Sequence, residues 1–165
     1  MVRPLMFAVA LWRFVTGARA DRYSDCNQDT DIDRIIADYT KDIESNPNNA
    51  RAYVGRATAH SKRSEYQSAL ADFTKALHLK PNDAAAYVGR GSAYYEEADY
   101  DHAIADLNKA IEINPNLADA YCSLGWTYEA IGDEDTAIVH YRKALEIDPT
   151  LQAAKDNLKL LNVTP

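Results

Sequence analysis

Four histidines, two cysteines, one Gly-Arg-Gly triplet and two acidic runs are the residues of this chain whose types could carry chemistry. His60, His78, His102 and His140 could bind a metal or move a proton, but no pair has an H-x-x-x-H spacing. None has a Ser or Cys arranged beside it for nucleophilic attack. Gly89-Arg90-Gly91 has the glycines of a phosphate loop but no third glycine and no preceding strand. Asp133-Glu134-Asp135 and the run of Glu96, Glu97, Asp99 and Asp101 could attract calcium. Both stand where a helix is expected to begin, and acids there stabilise free N–H groups without any metal. Cys26 and Cys122 fit no metal or redox spacing and read as two separate thiols. Asn162-Val163-Thr164 matches a glycosylation acceptor, which matters only in a eukaryotic secretory pathway. The expectation is a protein that binds without catalysis, metal or cofactor.

Composition narrows the partner. The chain has 165 residues with Lys+Arg 18 and Asp+Glu 25, a formal charge of −7, and 47% of it is hydrophobic. That is enough apolar material for one folded domain. The acidic balance argues against nucleic acid, which requires a basic face. Residues 1–20 read as a cleaved leader: Arg3, an apolar run from Leu5 to Trp12, and Ala18-Arg19-Ala20 before Asp21. Eight apolar residues fall far short of the ~20 needed to span a bilayer, so no membrane anchor is expected. Loss of Arg3, Arg13 and Arg19 would leave 15 basic against 25 acidic residues, a charge of −10.

The strongest signal is periodic. Tyr53, Tyr87 and Tyr121 stand 34 residues apart, as do Ala69, Ala103 and Ala137, then Ala76, Ala110 and Ala144, then Pro81, Pro115 and Pro149. Units 50–83, 84–117 and 118–151 agree with their neighbours at 15 of 34 positions, which marks tandem duplication. Each unit reads as two helices. The first runs from Ala50 to Lys62, Ala84 to Glu97 and Ala118 to Ile131; the second from Glu65 to Leu79, Asp99 to Ile113 and Asp133 to Ile147. Asp99 and Asp133 stand as N-caps, and each proline lies just past a second helix. Ala57, Gly91 and Gly125 mark a place of close helix approach, because an interior glycine costs roughly 1 kcal/mol against alanine. Tyrosines at the bulky positions fill the gaps, so most of the eleven read as structure.

The period and its small/large alternation resemble the tetratricopeptide repeat family, at Tyr53, Ala57, Ala69, Ala76 and Pro81 and their equivalents in the next two units. Arg56 and Arg90 depart from that pattern, replacing a leucine that Leu124 keeps, and Glu134 stands where Tyr66 and Tyr100 are bulky. The resemblance implies an all-α α-solenoid of three helix-turn-helix repeats within residues 31–163. A half-repeat helix at 31–45 would precede it, a capping helix at 151–162 would close it, and 21–30 would be irregular.

The resemblance also implies a concave groove lined by the first helices. Carried over place by place, it assigns Arg51, Val54, Thr58, Ser61 and Lys62; Ala85, Val88, Ser92, Tyr95 and Glu96; and Asp119, Cys122, Trp126, Glu129 and Ala130. Val54, Val88 and Cys122 would make an apolar floor, with Tyr95 and Trp126 as aromatic anchors. Charge would run from Arg51 and Lys62 at one end to Glu96, Asp119 and Glu129 at the other. Val54 and Thr58 replace the lysine and asparagine of carboxylate-binding grooves, which disfavours capture of a C-terminal tail. The expected partner is a protein or peptide; the alternative is an assembly or self-associating subunit of an envelope complex that uses its ends or convex face. Tyr-x-x-Arg-Gly repeats such as Tyr87 to Gly91 behind a short leader imply an exported protein of a bacterial periplasm.

Overall fold

Each duplicated unit contains two amphipathic stretches separated by a three-residue break, and each folds as two antiparallel helices. The computed structural model describes residues 28–164, with side chains from Asp31 onward. Among these residues all regular structure is helical. A leading helix α1 (Gln28–Ser45) is followed by the pairs α2 (Ala50–Lys62) and α3 (Tyr66–Leu79), α4 (Ala84–Glu96) and α5 (Tyr100–Ile113), and α6 (Ala118–Ala130) and α7 (Glu134–Ile147). A short helix α8 (Gln152–Leu160) ends the array. The leader and Cys26 lie outside the described residues. Residues 28–30, expected to be irregular, are helical, and the negative charge of Asp31 in that first turn favours the helix terminus.

Local chemistry explains the breaks. Asn49, Asp83, Asp99 and Asp133 each accept a hydrogen bond from the N–H three residues on, capping α2, α4, α5 and α7. Leu117 stands at the same place before α6 and provides no cap. The turn inside each repeat carries one residue with positive φ: Ser64 and Ala98 at 59°, and Gly132 at 88°. Only the third repeat places there the residue that adopts this conformation without steric cost.

The helices stack so that each first helix packs on its own second helix and on the second helix of the preceding unit; α1 and α8 extend this order at the two ends. Glycines set the spacing. A Cβ on Gly91 would meet Leu107, and one on Gly125 would fall within the ring of Tyr141, as the small-residue column requires. A second column links successive units: Gly55 faces the ring of Tyr39 and Gly89 that of Phe73. The third unit has Ser123 there, and the residue equivalent to Phe73 is the smaller Leu107. The shorter side chain on one helix leaves space for the longer one on the other. Ala69, Ala103 and Ala137 are all 0% exposed.

First helices touch their neighbours, α2 with α4 and α4 with α6, whereas second helices make no comparable contact among the described residues. The more closely spaced layer lies on the inside of a bend. The first-helix face is therefore the concave face of an α-solenoid.

Candidate binding groove

The places assigned from the sequence divide into three groups. Arg51, Thr58, Lys62, Ala85, Glu96, Asp119 and Ala130 are exposed along the first-helix layer. Val54, Ser61, Val88, Ser92, Tyr95, Trp126 and Glu129 are half-buried. Cys122 is buried at 2% exposure in the C-terminal core with Ala137, Tyr141 and Ala154. This corrects its assignment to the groove floor. The capping helix adds Ala154 and Leu158 to the same cluster, so the third unit is covered where the first two are open.

The two aromatic anchors are partly engaged. Trp126 packs against the C-terminal cluster, and the ring of Tyr95 lies 5.9 Å from that of Tyr100. Glu129 accepts a 2.6 Å hydrogen bond from the hydroxyl of the fully buried Tyr141. Burial, and then this bond, push the Tyr141 hydroxyl well above its ordinary range, so it stays a donor. Thr58 donates its hydroxyl to the carbonyl of Val54 at 2.8 Å. The charged side chains left facing outward keep the expected order, with Arg51 and Lys62 on α2 and Glu96 and Asp119 on α4 and α6.

Beneath the groove lies a feature that the sequence reading did not connect. Arg56 makes two 2.7 Å hydrogen bonds to Asp72 and a third, at 3.2 Å, to the hydroxyl of Thr40 on α1. Thr40 donates in turn to the carbonyl of Ile36. Arg90 repeats the arrangement 34 residues on, with Asp106 at 2.7 and 2.8 Å and Thr74 at 3.2 Å. Both carboxylates belong to residues only 7% exposed, and their bonds raise both guanidinium groups above their ordinary value. Each arginine thus joins its own second helix to the one before it. In the third unit Leu124 replaces the arginine and His140 the aspartate, and on the preceding helix Asn108 replaces the threonine. The signal was present: Arg56 and Arg90 give way to Leu124 in the same unit where Asp72 and Asp106 give way to His140.

The histidines do not converge. His60 is half-buried with Nδ1 2.6 Å from Glu65, His102 pairs with Asp99, and His140 stacks on Tyr128 at 5.3 Å. Among the described residues no three metal-ligating side chains form a group, and no helix is long and apolar enough to cross a membrane.

Comparison with known proteins agrees with this architecture. A tetratricopeptide repeat model matches residues 50–83 and 118–151, and a second TPR repeat model matches 91–132, together more than half of the chain. The chain belongs to the tetratricopeptide repeat family. The crystal structure of MamA is similar with a TM-score of 0.69 and 28% identity, over 85% of this chain and 88% of that one. The TPR domain of Arabidopsis OM64 follows with a TM-score of 0.67 and 26% identity, over 68% of this chain and 93% of that one. The first TPR of Spaghetti (RPAP3), solved with an HSP90 peptide, shares the fold at 24% identity and a TM-score of 0.66, over 68% and 90% of the two chains. No curated protein matches significantly. Tetratricopeptide repeat proteins are generally non-catalytic scaffolds for protein interaction, and this supports a protein-binding role here.

Proposed function

We propose that this tetratricopeptide repeat protein is a non-catalytic scaffold of the bacterial periplasm that holds an extended segment of a partner protein in its concave groove. The observation that carries the reading is the order of charge along the exposed first-helix layer, from Arg51 and Lys62 to Glu96 and Asp119. A segment with acidic residues at the α2 end and basic residues toward α6 complements it, with apolar contact to Val54 and Val88. Affinity is modest, because the groove spans three repeats and an extended partner loses freedom on binding. Export rests on the leader-like residues 1–20.

In-cell photo-crosslinking tests this, with the probe at Ser92 on α4 and a control at Lys143 on α7. A discrete partner captured from Ser92 but not from Lys143, on a chain whose mass begins at Asp21, is the expected outcome. Crosslinks from Lys143 alone would remove the groove from consideration, and a mass that retains Met1 would remove export.

A further inference from the structure

We infer that the cleft between α3 and the turn joining α4 to α5 is a second contact surface, which receives the guanidinium group of an arginine on a partner protein. The inference stands apart from the groove reading, because none of the residues that line this cleft belongs to the groove.

The cleft has a volume of about 560 Å³. Gln67, Leu70 and Thr74 of α3 form one wall, and Tyr94, Glu97 and Asp99 form the other. The space exists because second helices, on the outside of the bend, do not touch one another as first helices do among the described residues. Repetition shows what suits this place. In the cleft between α1 and α3, 34 residues earlier, the equivalents of Gln67, Tyr94, Glu97 and Asp99 are Asp33, His60, Arg63 and Glu65. There Arg63 crosses to Asp33 on α1 and pairs with Glu65 at 3.1 Å, so a guanidinium lies between two carboxylates. In the middle cleft the crossing is made by Gln67, which donates to Glu97 at 2.7 Å. Both crossings span 30 residues, but donor and acceptor have changed sides and the cation is gone. The third unit has Ile131 at the place of Arg63 and Glu97, which offers no acceptor.

The charge balance of the middle cleft follows from that exchange. Glu97 and Asp99 face it, and among the described residues no lysine or arginine lines it. Two other groups approach. Arg90 donates to Thr74 at 3.2 Å, but Asp106 holds it with two bonds and neutralises its charge. His102 lies 2.8 Å from Asp99 and stacks on Tyr94 with 5.1 Å between ring centres, which fixes the Tyr94 ring as a wall of the cleft. An arginine from a partner supplies the missing cation. Its planar group lies against the aromatic wall and donates two parallel bonds to the Glu97 carboxylate, while its apolar stem covers Leu70. A lysine brings a point charge and cannot make the same paired contact. The cleft opens to solvent, so the contact is weak by itself and adds to whatever else the partner touches.

Chemical-shift titration of the isotope-labelled full chain tests the inference, with a short blocked peptide of serine and alanine around one arginine as the probe. The expected result is a saturable shift at Leu70, Thr74 and Tyr94. Citrulline in place of the arginine, which keeps the shape without the charge, should give none, and lysine should bind several-fold more weakly. Glu97→Gln should weaken binding about fivefold. Glu97→Arg combined with Gln67→Asp rebuilds the first cleft in the second and should abolish binding. Both side chains are exposed, and circular dichroism should show unchanged helix content. Shifts confined to groove residues such as Ser92 and Asp119 would overturn the proposal, as would equal binding of the lysine or citrulline peptide. Binding that neither variant alters would overturn it too, and so would the absence of any saturable shift.

Discussion

The first two repeats and the third solve the same packing problem with different chemistry. In the first two, a guanidinium reaches from the first helix to a nearly buried aspartate and to the threonine of the preceding helix. In the third, Leu124 is 0% exposed at the arginine's place, and His140 lies against Tyr121 and Tyr128. The backbone arrangement is the same, so the position demands a matched pair and does not demand charge. A buried ion pair need not be more stable than an apolar pair of similar volume, but half of one is strongly destabilising.

The most severe way to break the comparison is to convert one half of a joint. Arg90→Leu imitates the third repeat at one residue and leaves Asp106, 7% exposed, without its main partner. We expect a loss of about 3 kcal/mol in urea unfolding. Arg90→Leu combined with Asp106→His should recover more than half of that loss. If the two changes instead add, the pairing account fails.

A smaller difference appears with pH. Burial lowers the His140 pKa from its ordinary 6.5, so the unfolded chain binds this proton more readily than the folded one. The contribution is fully present above about pH 6.5 and is lost as pH falls below that value. Arg90, held above the ordinary guanidinium range by the hydrogen bonds of Asp106, stays charged throughout this range. Amide protection factors, which correct for the slower intrinsic exchange at low pH, should therefore fall in α6 and α7 between about pH 7 and pH 5 more than in α4 and α5. His140→Leu should remove the excess; an equal response in both repeats would show that burial of this imidazole does not matter.

The smallest expected effect concerns capping. Asn49 and Asp83 cap the first helices of the first two repeats, whereas Leu117 offers no acceptor to α6. Leu117→Asp should raise stability by about 1 kcal/mol in thermal melts. No gain would mean that the Leu117 side chain compensates by packing for the bond it cannot make.

Much of this protein is legible in order along the chain. The 34-residue step determines helix number, turn positions and the glycine contacts, because each depends on residues within one repeat or on the same place in the next. Asp99 and Asp133 are recognisable as caps because the bond they make spans three residues. The groove is legible as a set of helix places, but not its accessibility. Cys122 has the same helical place as Val54 and Val88, and it is buried because Ala154 and Leu158 of α8 join its core. The Arg56–Asp72–Thr40 and Arg90–Asp106–Thr74 links needed the tertiary structure for the same reason. Each hydrogen bond crosses 16 residues of sequence between helices whose separation is a property of the stacked array. The sequence by itself determined which faces are apolar and where the chain turns, through local sterics and periodic burial. Only packing decided which polar groups meet and which groove residues stay open.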